Sequence, residues 1–190
     1  MAVKLNKNRM LESWALFIIC ALLLLFTKPL TVQGSLGYEI IRLGGIFLVL
    51  ICVMGRIFTT AFLGGHKNQK VINYGPFSVV RNPLYVFSII GVMGVSLVSQ
   101  RLGIIIIAPL GTIIIYHFLV KREEAFLLET FGQEYADFCE KVPRFIPNLG
   151  QYHAPALIET DPKRLFSSLY DALWWFLTVG VIGIIQHIHF

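Results

Sequence analysis

The chain has 190 residues, 56% of them hydrophobic and 14% charged, with a formal net charge of +5. A soluble domain is nearer half apolar and a quarter charged, so this balance indicates an integral membrane protein with room for one domain, 1–190, and no second. The positive excess reports membrane topology rather than nucleic-acid binding, because no basic stripe interleaved with aromatic residues occurs.

Five apolar runs follow in chain order. Trp14 to Phe26 is the first and can extend to about Leu30. Lys4, Lys7 and Arg9 precede it as they would a signal peptide. The only small-residue stretch behind it, Val32-Gln33-Gly34-Ser35, is a weak cleavage site, so an uncleaved span is expected. Ile40 to Phe58 is the second, with Arg42 near its start and Arg56 near its end. Leu84 to Val98 is the third. Leu102 to Val120 is the fourth and carries Pro109 and Gly111 in its middle. Leu169 to Ile188 is the fifth, with Trp174-Trp175-Phe176 near its opening. A span needs about 20 residues, so the first and third must recruit flanking positions. The expected fold is all-α: a membrane bundle of about five transmembrane helices with a cytoplasmic amphipathic helix.

Charge sets the orientation. With the N-terminus in the cytoplasm, only Lys28, Arg42 and Arg101 of the 16 Lys and Arg residues fall on the far side. That is a strong positive-inside asymmetry. Thr59 to Asn82 is turn-rich through Gly64-Gly65, Asn73 and Gly75-Pro76. Lys121 to Ser168 is the sizeable extramembrane piece. Leu127, Leu128, Phe131, Tyr135 and Phe138 recur at helical steps within it. That helix either begins near Glu123-Glu124, which suits a helix N-terminus, or continues the fourth span without a break. Pro143 and Pro147 end the pattern.

Two polar clusters border these runs, and ionisable groups beside membrane-length segments are costly to dehydrate. In Arg81-Asn82-Pro83-Leu84-Tyr85, Pro83 suits a first helical turn and Asn82 a cap. The plain reading is a capped helix start at the headgroups. The functional one is a cradle for an anion or carboxylate. Glu123 and Glu124 are either solvated face residues or, beside a cavity, holders of a cation or a ribose hydroxyl pair. Lys121 and Arg122 read as interfacial anchors, with Arg122 the candidate for orienting a carboxylate substrate.

His187 and His189 read as an interfacial pair. His66 and His153 are scattered, and His117 within the fourth span reads as an inward, hydrogen-bonded histidine. Cys20, Cys52 and Cys139 are too few and too widely spaced for a disulfide framework or a zinc site. No metal site is expected. No Gly-rich phosphate loop or nucleophile elbow occurs.

Taken in order, Gly75-Pro76-Phe77, Arg81 to Tyr85, an apolar hairpin, Glu123-Glu124 with Leu127, Phe131-Gly132 with Tyr135, and Pro143 with Ile146-Pro147 resemble the isoprenylcysteine carboxyl methyltransferase and phospholipid methyltransferase group. The resemblance covers roughly residues 70–150. It implies a helical, membrane-integral enzyme using S-adenosylmethionine at the cytoplasmic face. Gly75, Pro76, Arg81, Asn82, Tyr85, Glu124 and Arg144 would bind that cofactor, with the Val142 to Pro147 segment closing over the adenine. Arg122, Glu123 and Glu124 would serve catalysis, and an amphiphilic small molecule or lipid would enter from the bilayer. Three positions depart from the prenylcysteine pattern. Asn82 stands for a His, Phe87 for a Gly, and Leu119 for an Arg, leaving carboxylate orientation to Lys121 or Arg122.

Methyl transfer from a sulfonium is an in-line displacement, for which the protein supplies position and a dry site. A carboxylate acceptor needs an orienting cation, Arg122. An amine acceptor needs a base, Glu123 or Glu124. The competing class is a non-enzymatic membrane module that binds lipid or a partner. Oligomeric state is left open, and a bacterial inner membrane is expected rather than an endoplasmic reticulum.

Overall fold

A computed structural model describes residues 2–64 and 70–189, with side chains for 11–64 and 70–188. Gly65, His66 and Lys67, and the side chains of Lys4, Lys7, Arg9 and His189, lie outside the described residues. Among the described residues the elements are α1 (Ala2–Phe26), α2 (Leu36–Leu63), α3 (Pro76–Val79), α4 (Pro83–Val98), α5 (Leu102–Phe131), α6 (Gln133–Lys141), a 3-10 turn (Leu149–Gln151) and α7 (Pro162–His189), with no strand. The protein is an all-helical membrane bundle.

Three helices, Leu36–Leu63, Leu102–Phe131 and Pro162–Ile188, are long and apolar enough to cross a membrane. Leu11–Phe26 and Pro83–Val98 are apolar but shorter. At 1.5 Å per residue α4 is about 24 Å long, short of a hydrocarbon core of about 30 Å. Large apolar side chains such as Phe47, Met54, Ile114, Phe118, Trp174 and Ile184 are exposed. A soluble monomer rarely shows so much apolar surface, whereas lipid accepts it.

The helix ends follow from local chemistry. Pro162 opens α7, where its missing N–H is harmless, and Asp161 Oδ1 accepts from the Lys163 amide at 2.9 Å. α5 runs through Glu123-Glu124 to Phe131, so no helix starts at the acidic pair. Lys121 to Leu128 contains good helix formers and no Gly or Pro, and that propensity carries the helix onward. The break falls instead at Gly132, whose φ of 55° an L-residue rarely adopts, and α6 begins behind it.

The chain divides into two compact units. The first comprises Met1–Ile51, Ile89–Leu119 and Trp174–Phe190. There α2 and α4 cross backbone to backbone. A Cβ on Gly45 would lie 2.6 Å from the Gly94 carbonyl oxygen, and one on Gly94 equally close to that of Gly45. Small residues permit such close approach between apolar helices. The α4–α5 turn is held by side chains. Gln186 Nε2 donates to the Val98 and Ser99 carbonyls at 3.0 and 2.9 Å, and Tyr38 Oη donates to Gln186 Oε1 at 2.9 Å. Gln100, at φ 56°, donates from Nε2 to the Tyr38 carbonyl at 3.0 Å. Turn carbonyls away from water need such internal donors.

The second unit comprises Cys52–Ser88 and Val120–Leu173. A Cβ on Gly55 of α2 would strike the ring of Phe87 on α4. Phe87 therefore fills its position because α2 supplies the missing space. None of the three cysteines is joined in a disulfide.

Candidate functional site

All of the site's geometry lies in the second unit, and it starts at Gly75. This residue has φ 61°, and a Cβ there would collide with the Phe62 ring, so glycine is required twice over. Its amide donates to the His153 carbonyl at 2.7 Å. Pro76 then opens the single turn of α3, where Ser78 Oγ donates to the Gly75 carbonyl at 2.7 Å. The chain emerges extended at Val80 and enters α4 at Pro83.

The segment after α6 is strapped across this entry. The Arg81 amide donates to the Pro143 carbonyl at 2.9 Å, and the Asn148 amide to the Val79 carbonyl at 2.9 Å. Asn82 Nδ2 donates to the Arg144 carbonyl at 3.4 Å. Below the strap, Tyr135, Phe138 and Val142 form a buried cluster with Val71, Leu127, Phe131 and Cys139. That cluster ties α6 to the end of α5.

Charge is concentrated on Glu124, which is 9% exposed. Arg144 grips it with both arms of its guanidinium. Nε donates to Oε1 at 3.1 Å and Nη2 to Oε2 at 2.6 Å. This is the fork geometry that makes arginine–carboxylate pairs strong. Hydrogen bonding to Glu124 pushes the Arg144 guanidinium above its ordinary value. Arg81 Nε lies 3.5 Å from Glu124 Oε1. That contact is an ion pair without a hydrogen bond, so Arg81 Nε is a buried donor with no acceptor. One residue earlier on α5, Glu123 Oε2 accepts from the Tyr85 hydroxyl of α4 at 2.8 Å. Arg81, Tyr85, Glu123, Glu124 and Arg144 thus form one cluster, fed by three distant segments of sequence.

The other expected site residues stand differently. Gly75 and Pro76 shape the turn, and Asn82 secures the strap. Arg122 is exposed on α5, and among the described residues no hydrogen bond or ion pair joins it to Glu123 or Glu124. Two further residues have chemistry here that periodicity alone did not assign. Arg56, on the second apolar run, pairs with Ser88 and Asp171. Tyr135, one of the helical-pattern residues, is 5% exposed. Burial first, then Cys139 and Glu124, push its phenol well above the ordinary 10.0. The folded state therefore favours the neutral phenol. The stability this lends is whole below the unfolded pKa near 10 and is lost as pH rises beyond it. Tyr135→Phe is expected to remove that alkaline dependence, read by denaturant unfolding at pH 8 and pH 11.

A cleft of about 520 Å³ opens beside the strap, lined by Val71, Asn73, Ser78, Glu134, Asp137, Phe138, Lys141, Val142, Gln151 and His153. It shares Phe138 and Val142 with the buried cluster under Tyr135. Among the described residues, no group of three or more His, Cys, Asp or Glu is placed to hold a metal.

A family model described as phospholipid methyltransferase matches residues 32–134. The match starts well before residue 70, taking in α2, and ends before Tyr135 and Arg144. The cobalt-zinc-cadmium resistance protein CzcN of Cupriavidus metallidurans is 26% identical over 138 residues, 73% of this chain and 63% of that protein. The nickel-cobalt-cadmium resistance protein NccN of Alcaligenes xylosoxydans xylosoxydans is 23% identical over 146 residues, 75% of this chain and 68% of that protein. The chain thus spans a little under two thirds of the first of these relatives.

Proposed function

The chain belongs to the phospholipid methyltransferase family, within the isoprenylcysteine carboxyl methyltransferase group, and from that premise we propose that it transfers a methyl group from S-adenosylmethionine to an amphiphilic or lipid-like acceptor at the membrane face. Membership of this family and the apolar helices support a membrane methyltransferase. The observation that carries the assignment of cofactor and acceptor is the meeting of Tyr85 with Glu123, and of Arg81 and Arg144 with Glu124, in one partly dehydrated cluster.

The residues suit the cofactor. It has a carboxylate, an ammonium, a sulfonium and a ribose diol. Arg81 Nε is a buried donor lacking an acceptor, which fits the carboxylate. Glu123 and Glu124 fit the ammonium or the diol. Arg144, carried by the strap, would close the site over it. The bound cofactor supplies an already activated methyl group. This chain's residues then orient the acceptor and exclude water. For an amine acceptor, Glu123 takes the proton on Oε1, the oxygen Tyr85 leaves uncommitted. A carboxylate acceptor needs no base.

On this reading the N-terminus and both motifs face the cytoplasm of a bacterial inner membrane, as the Lys and Arg asymmetry favours. Both relatives are named for metal resistance. In such a setting this chain's part would be methylation of a membrane amphiphile. Calorimetry of the purified protein with S-adenosylmethionine and S-adenosylhomocysteine tests the proposal. Binding of both is expected. A folded sample that binds neither excludes the methyltransferase reading and leaves a lipid- or partner-binding module.

A further inference from the structure

We propose that the connector carrying the strap is a membrane-docking element: Ile146, Leu149 and Leu157 rest in the headgroup layer of the bilayer that holds the helices, and this contact helps keep Arg144 on Glu124. Its effect on the cofactor rests on the methyltransferase reading above. The connector runs from Val142 to Asp161, between α6 and α7, and is irregular apart from one 3-10 turn. Three of its large aliphatic side chains stand out from the protein. Ile146 is 82% exposed, Leu149 77% and Leu157 89%. Tyr152, between them, is half exposed. In water such a run is a standing apolar patch, of the kind that marks a contact with a membrane or a partner.

Hydrogen bonds decide between the two by fixing the depth of the connector. The ties of Pro143 to the Arg81 amide and of Asn148 to the Val79 carbonyl bracket Ile146. Both ties fall on the residues that lead into the apolar helix α4 at Pro83. Farther on, Thr160 Oγ1 donates to the Ala61 carbonyl, in the last turn of α2, at 3.2 Å. Leu157 lies three positions before that tie. The connector is therefore moored to the ends of two apolar helices, where the chain leaves the hydrocarbon. The headgroup layer there is about 5–8 Å deep, so a side chain one or two hydrogen bonds from a helix end falls within it.

The chemistry along the connector suits that layer. Phe166 and Tyr170, in the opening turns of α7, are exposed and continue the apolar surface that lipid covers. Tyr152 has the amphipathic ring of an interfacial aromatic belt. Lys141 and Lys163, exposed at the two ends of the connector, can reach headgroup phosphates. Arg144 precedes Ile146 by two positions, so lipid against Ile146 and Leu149 holds the strap from outside. The bonds to Val79, Arg81 and Asn82 hold it from inside.

The test is photocrosslinking of the full chain in vesicles of phosphatidylethanolamine and phosphatidylglycerol. The photoreactive residue p-benzoylphenylalanine replaces Ile146, Leu149 or, as a control, Glu140, an exposed position off the buried Tyr135 and Phe138 face of α6. Adducts are identified by mass spectrometry, and S-adenosylhomocysteine affinity is measured in the same vesicles. Lipid adducts at Ile146 and Leu149 are expected to exceed those at Glu140 about tenfold, because lipid C–H bonds reach only side chains seated in the interface. Ile146→Ser combined with Leu149→Ser should weaken S-adenosylhomocysteine about threefold to tenfold, as expected when a strap loses one of its two supports. Ile146→Trp, whose ring favours the same layer, should keep wild-type affinity. Lipid adducts no more abundant at Ile146 than at Glu140 overturn the proposal, and binding of S-adenosylhomocysteine in that sample leaves the methyltransferase reading standing. Adducts to a second copy of the chain in place of lipid overturn it as well and assign the surface to self-association. Unchanged affinity in the serine pair overturns the link between docking and closure. Lipid adducts at Ile146 in a protein whose wild type never binds S-adenosylhomocysteine support the docking and sink the methyltransferase reading.

Discussion

Glu124→Gln is expected to cost about 2–4 kcal/mol of stability and to weaken S-adenosylhomocysteine binding about 100-fold. The substitution keeps the size of the side chain but removes the negative charge that faces both Arg81 and Arg144. Two guanidiniums are then left close together, one of them in a side chain only 12% exposed. The Arg144 side chain is 33% exposed, so water relieves part of the penalty and keeps it below that of a fully buried pair. The fork from Arg144 also helps hold the strap on α5, so the variant should show faster proteolysis between Pro143 and Asn148. Arg81→Gln combined with Glu124→Gln separates the two effects. Removing one cation with the carboxylate should recover much of the stability and none of the binding. Equal denaturation midpoints and equal affinity for wild type and Glu124→Gln would remove Glu124 from the site.

Much of this arrangement is legible in the sequence, because it depends on local signals. The apolar runs mark the helices, and Asn82-Pro83 marks the start of α4 within a residue. The segments that supply the Tyr85–Glu123 and Arg81–Glu124 pairs could be read from the ordered polar set. What escaped depends on tertiary closure or on competing local rules. Glu123-Glu124 suits a helix N-terminus by its charge, yet uninterrupted helix propensity carried α5 past it. The fork from Arg144 to Glu124 spans 20 positions and forms only because the strap is pinned to Val79, Arg81 and Asn82. Phe87, which departs from the family's glycine, is accommodated by Gly55, a residue no local pattern connects with it. Gln100 and Gln186 look unremarkable in sequence. They matter because a turn between two apolar helices needs donors for its carbonyls. Arg56 was visible as a charge in an apolar run, but its inward direction was not.

Glu123→Gln is expected to lower methyl transfer about 100-fold, the range for losing a positioned acid–base group or a charge-assisted contact to the cofactor. Tyr85→Phe should lower it about tenfold, because its hydroxyl aims the Glu123 carboxylate through the 2.8 Å bond. The informative measurement is the double variant. If Tyr85 acts through Glu123, its loss costs almost nothing once the carboxylate is gone, and the double variant matches Glu123→Gln. Additive losses would show that Tyr85 touches cofactor or acceptor by itself. Steady-state constants then divide the two roles open to Glu123. A rise confined to the KM for S-adenosylmethionine assigns it to the cofactor's ammonium or ribose. A fall confined to kcat assigns it to proton removal, and with it an acceptor that loses a proton, such as an amine. Both outcomes require the carboxylate to be held at a fixed angle in a dry cluster. Releasing it with the phenylalanine variant should therefore also raise the rate of cofactor hydrolysis relative to transfer, measured as labelled methanol.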